Sequence, residues 1–169
     1  MELDTVLRAL LCVSPVIAGV VLVIYARSLT GVNGFDDLSQ SDTKHRAEQG
    51  DAQAQNNFGA MYLNGRGVFP RNTTKAAEWF RQAAEQGLAS AQHNLGVMYL
   101  KGEGVPQDDT QAAEWTRQAA EQGIIEAQFG LGLLYGEGRG VPQNYTQAIK
   151  WFFRAQRNRA LQKLKKILT

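Results

Sequence analysis

Thiol and imidazole chemistry is almost missing from this chain. Its 169 residues include one cysteine, Cys12, and two histidines, His45 and His93. A lone cysteine excludes an intrachain disulfide framework. The histidines are far apart, and no HxxxH, CxxC or carboxylate–histidine cluster surrounds them, which argues against a zinc site. Ser90 lies near His93 but has no acidic residue at a spacing that would orient a nucleophilic triad. The expectation is therefore no catalytic residue, no metal and no cofactor. Proline is scarce too, with four in all. Acidic side chains are missing from one end: residues 150–169 carry seven basic groups and no acid, whereas residues 1–149 carry 11 basic and 16 acidic. No basic stripe with interleaved aromatics runs through the rest, which argues against nucleic acid as a partner.

What the chain does have is repetition. The tetrapeptide AEQG begins at positions 47, 84 and 120, and the sequence between is lightly edited from copy to copy. The period is about 36 residues, with one extra residue near Phe69 in the first copy. A period of that size marks a repeat solenoid, in which each unit buries its apolar face only against its neighbours.

Each copy divides into two helical halves. Ala91, Leu95, Met98 and Tyr99 fall at i, i+4, i+7 and i+8, as do Ala54, Phe58, Met61 and Tyr62, and Ala127, Leu131, Leu134 and Tyr135. That spacing is one apolar face of a first helix. Gly59, Gly96 and Gly132 interrupt it, and such a glycine costs about 1 kcal/mol against alanine. Its return in every copy predicts a partner helix too close for a Cβ. The second half carries Trp79, Trp115 and Trp151 between alanines, and the tryptophan is expected to anchor the pair. Between the halves, Gly65, Gly102 and Gly138 are predicted to end the first helix. Val68, Val105 and Val141 give the loop an apolar foot, and Pro70, Pro106 and Pro142 bar further helix. Asn72, Asp108 and Asn144 stand at N-cap positions, which accounts for the sequons at Asn72 and Asn144 better than glycosylation does. The GxG loops follow no strand and lack Gly-Lys-Ser/Thr, so they are turns and not phosphate loops.

The blocks AxxLGxMYxxGxGV and AAEW…AAEQG resemble the Sel-one-like repeat family, relatives of the tetratricopeptide repeat. The resemblance spans residues 47 to about 155. It implies an all-α, right-handed α-solenoid of about three 36-residue helix–turn–helix repeats (about 47–83, 84–119 and 120–155 within a solenoid at 43–160), whose first helices line a concave face. Cysteine-rich relatives staple each repeat with a disulfide, and some are associated with penicillin binding or β-lactam hydrolysis. This chain lacks the staple, so that activity carries over poorly.

The ends differ from the repeats. Residues 9–26 form an 18-residue apolar run containing Cys12, at the short edge of a membrane span and longer than most signal-peptide cores. Residues 1–27 are read as a hydrophobic membrane anchor or signal segment, with retention and cleavage both open. Leu11 before Cys12 does not fit a lipoprotein box. Residues 28–42 are polar and turn-rich, a linker, and KHRAEQG from Thr43 is a half-repeat that caps the stack. At the other end Gln156, Arg157, Asn158 and Arg159 replace AEQG. Residues 156–169 are expected to form a basic capping helix over the last repeat, the alternative being a basic amphipathic helix that meets anionic lipid or an acidic partner.

By the tetratricopeptide scheme, ligand contacts come from outward positions of the first helices. These are Gln53, Asn56, Ala60 and Asn64; Ser90, His93, Val97 and Lys101; and Glu126, Phe129, Leu133 and Glu137. The expected function is a non-enzymatic scaffold in the bacterial cell envelope, membrane-anchored or periplasmic, that offers a concave groove to a protein or peptide. The alternatives are a cell-wall-associated hydrolase and a membrane adaptor acting through the basic C-terminal helix.

Overall fold

The computed structural model describes residues 34–65 and 69–168. The expected apolar span, Cys12, the first part of the linker and Val68 lie outside the described residues. Among those described there are seven helices and no strand: α1 Gly34–Glu48, α2 Ala52–Asn64, α3 Thr73–Glu85, α4 Ala89–Lys101, α5 Asp109–Glu121, α6 Ile125–Glu137 and α7 Tyr145–Leu168. None is long and apolar enough to cross a membrane. Residues 34–42, read from sequence as turn-rich linker, are helical in α1.

The repeats are the pairs α2–α3, α4–α5 and α6–α7. Their boundaries follow the predicted chemistry. Gly65, Gly102 and Gly138 end the first helices in the left-handed conformation, each N–H returning to a carbonyl of the last turn. The Asn72 side chain accepts from the Lys75 amide, Asp108 from those of Thr110 and Gln111, and Asn144 from that of Gln147. Phe69, the extra residue of the first loop, is used as packing: its ring lies 5.1 Å from that of Phe58 and 5.3 Å from that of Tyr62.

The glycine notches are filled as expected, but by another residue. A Cβ on Gly59 would stand 2.9 Å from the Phe80 ring, one on Gly96 2.7 Å from Thr116 Oγ1, and one on Gly132 2.7 Å from the Phe152 ring. In each repeat the filling residue follows the tryptophan. The tryptophans are half-buried on the neighbouring flank: Trp79 sits 5.1 Å from the Phe58 ring, and Trp115 packs on the cluster that holds Phe80, Leu95 and Met98.

Each repeat is tied to the one before by a buried glutamine. Gln92 Nε2 donates to the Ala84 carbonyl at 3.2 Å and to Gln118 Oε1 at 3.1 Å, while Gln92 Oε1 accepts from Gln122 at 2.8 Å. Gln55 repeats this toward Ala47, Gln82 and Gln86. Gln128 donates to Ala120 and accepts from Asn158. Buried amides without partners are costly, about 1–3 kcal/mol each, so these networks fix how one repeat seats on the next. A second tie is ionic: the Arg139 guanidinium forks onto Asp109, Nη2 to Oδ1 at 2.7 Å and Nε to Oδ2 at 3.1 Å. Arg139 holds the Asp109 carboxyl below its usual range.

The C-terminal segment departs from the expectation. Residues 156–168 do not fold back as a separate cap; they prolong α7 into one helix of 24 residues. The preceding second helices end before Gly87 and Gly123, at φ +88° and +97°. Arg159 occupies the equivalent place, so the turn has no glycine and the helix runs on. Leu161, Leu164, Ile167 and Leu168, expected to cover the last repeat, are exposed.

Candidate functional site

The outward positions of the three first helices form a row whose character changes along the stack. On α2, Gln53 is exposed and donates to Asn57 at 3.1 Å, and Asn64 donates back to the Ala60 carbonyl at 2.9 Å. Ala60 is half-buried against the apolar cluster. Asn56 is buried, contrary to its reading as an outward position, and its Oδ1 accepts from Asn94 of α4 at 3.0 Å. It ties two first helices together. Asn94 falls one residue beyond the position equivalent to Asn56, so the period gave no sign of this contact.

On α4, Ser90, His93 and Val97 are half-buried and Lys101 is exposed. His93 Nδ1 is buried with no hydrogen-bond partner. Burial pushes the imidazole below its usual pKa, and the nearby Glu126 carboxylate opposes this more weakly. A base whose folded pKa is depressed favours the unfolded state when protons are abundant. Stability is therefore expected to fall as pH drops below the unfolded value of about 6.5, and to level off below the folded pKa. His93→Gln should flatten that segment of the pH–stability curve, measured by urea melts across pH 5 to 8. An unchanged slope would assign it to other groups.

On α6, all four selected positions, Glu126, Phe129, Leu133 and Glu137, are exposed. Phe129 is 52% and Leu133 42% accessible, one turn apart, and the Phe129 ring lies 5.1 Å from that of Phe152. The third first helix thus presents an apolar step where the first presents amides. Among the described residues no group of three or more His, Cys, Asp and Glu could hold a metal ion.

Stacked helix pairs, cross-tied at every junction and presenting unlike side chains in like places, define a helical-repeat α-solenoid. The Sel1 repeat profile matches residues 52–88, 89–124 and 125–155. The chain belongs to the Sel1 repeat family. That register begins at each first helix, so the AEQG box closes a repeat and does not open it. The fold is similar to that of a protective antigen present in uropathogenic Escherichia coli strains, described as displaying an SLR fold, at 42% identity and TM-score 0.67, over 70% of this chain and 25% of the other. A Sel1 repeat protein from Oxalobacter formigenes matches at 41% identity and TM-score 0.63, over 65% and 43%. The Helicobacter pylori cysteine-rich protein B matches at 27% identity and TM-score 0.56, over 70% and 90%. The chain therefore spans a quarter of the first of these structures and less than half of the second. Comparison with curated proteins gave no match. Sel1 repeat proteins generally act in protein–protein interaction and are typically non-enzymatic scaffolds.

Proposed function

We propose that this protein is a non-enzymatic scaffold of the cell envelope, held at or delivered to a membrane by its N-terminal apolar segment. The first-helix face serves as a concave groove for a peptide or protein. The carrying observation is the exposed pair Phe129 and Leu133 beside Phe152. Large apolar side chains clustered in a polar surround are what an anchor residue of a partner seats on. Lys101, exposed at the end of α4, adds a charge that can select an acidic neighbour of that anchor.

The test is affinity for a peptide selected from a displayed library on the wild-type protein. Phe129→Ala and Lys101→Glu are each expected to weaken it about tenfold, equivalent to about 1.4 kcal/mol. Both residues are exposed, so the melting curve should barely move. Equal affinity in both variants would move the site off this face. Saturable hydrolysis of a β-lactam or a peptidoglycan fragment, abolished by a point substitution, would overturn the non-enzymatic part of the reading.

A further inference from the structure

The outer flank of α7 carries an apolar stripe in the place where every earlier second helix is covered. On α3, Ala77, Arg81 and Ala84 share one face by their spacing, and the Arg81 guanidinium donates to the Tyr99 hydroxyl of α4. That face receives the next repeat, and both alanines are 1% exposed. On α5 the equivalent Ala113 and Ala120 are likewise covered. On α7 the same places hold Ile149, Phe153 and Gln156. Ile149 is 54% and Phe153 68% accessible, and Tyr145, one turn earlier, is 66% accessible. The end of a solenoid ordinarily turns polar, because its outer face meets water. Here it becomes larger and more apolar than the buried interfaces before it.

Three features decide what covers this face. Ile149 stands where alanine admits the next helix, and Phe153 where Arg81 reaches the Tyr99 hydroxyl, so a further repeat cannot seat in the same way. A second copy placed along α7 would set seven cations against seven, with no acid in residues 150–169. A heptad seam drawn from Ile149 through Phe153 puts Gln156 and Lys163 at contact positions, which a partner helix would have to bury. The stripe is instead broad, and Ala160, Leu161, Leu164 and Ile167 carry it on to the end of the helix. At 1.5 Å per residue it is about 36 Å long. Cations border it on both sides by helical position, Arg159 and Lys166 on one and Arg154 and Lys165 on the other, while Arg157 and Lys163 fall within its width, where their long side chains can carry the charge out to the headgroups. A wide apolar face with basic margins suits a planar anionic surface.

We propose that α7 lies along an anionic lipid surface, its apolar stripe at the boundary of headgroups and acyl chains and its lysines and arginines at the lipid phosphates. This surface is separate from the first-helix face and does not depend on what that face binds. It turns the outer flank of the last described repeat toward the membrane.

The full chain, with Cys12→Ser and with Leu164→Cys bearing a polarity-sensitive dye, is reconstituted with vesicles of phosphatidylcholine alone or with added phosphatidylglycerol. The N-terminal segment can hold the protein on both, so the dye and not sedimentation is the readout. The expected result is blue-shifted emission, quenched by brominated lipid, on the anionic vesicles only. It should reverse at about 1 M salt, where screening shortens to about 3 Å. Lys163→Glu with Lys166→Glu, both exposed, should remove at least half of the shift and leave the melting curve in place. A dye that stays hydrated on anionic vesicles, or is shielded equally on neutral ones, overturns the proposal. Shielding without vesicles that grows with protein concentration overturns it in favour of a second copy. Shielding by polyglutamate but not by vesicles overturns it in favour of an acidic protein.

Discussion

Gly140→Ala is expected to separate the third repeat from the second. Gly140 has φ +67°, and a Cβ there would overlap the Asp109 carbonyl at the start of α5. Neither side can yield easily. α5 begins at Asp109, its first amides held by the Asp108 cap, and the neighbouring Arg139 is forked onto the Asp109 carboxylate. The left-handed conformation alone costs an alanine about 1–2 kcal/mol, and forced overpacking adds about 1–3 kcal/mol. A total near 3 kcal/mol is expected from urea unfolding. Gly123→Ala is the control: φ is +97° there, with nothing within 4 Å of the added carbon, so it should show the conformational penalty alone. Equal losses in the two variants would mean that the loop does not press on α5. Gly104 meets Thr73 of α3 in the same manner, and the substitution there should behave alike.

Phe80→Ala should be the most damaging truncation in the first two repeats. Phe80 is 1% exposed, fills the notch at Gly59 and belongs to the cluster that reaches Leu95 and Met98 of the next repeat. Deleting a buried phenylalanine side chain costs about 3–5 kcal/mol. Trp115→Ala should cost less, because that ring is half-buried on the flank. The decisive comparison is the double variant Phe80→Ala with Gly59→Ala. The added methyl enters the space the ring vacates, so the pair should be less destabilised than the sum of the singles. Strict additivity would place the ring elsewhere.

The period, the helix pairing, the caps at Asn72, Asp108 and Asn144 and the close approach at the notched glycines were all legible in the sequence, because each repeats with its chemistry intact. What fills the notch was not. Phe80, Thr116 and Phe152 occupy one slot with unlike side chains, whereas the tryptophan beside them recurs unchanged in all three copies and carries the stronger sequence signal. The role of Gly104 and Gly140 was half legible: the turn could be read, the contact with the preceding repeat could not, since nothing local records it. The run of α7 past residue 156 depended on one missing glycine at position 159, visible once the three boxes are aligned. Asn56 was misplaced because helical position gives a direction, whereas its burial depends on Asn94 reaching across from another helix. The exposure of Phe129 and Leu133 follows from their place on α6; which molecule meets them does not.

The buried glutamines have a consequence for how such a chain can grow. Gln55, Gln92 and Gln128 each close a hydrogen bond onto the helix that ends the preceding unit, so every junction offers the same socket and the same plug. Duplicating one whole period would insert a segment that fits both of its neighbours without altering either. Duplicating half a period would leave a plug with no socket and an amide stranded away from water. Lengthening by complete modules is thus the cheap route, and it allows proteins of very different reach to share one junction.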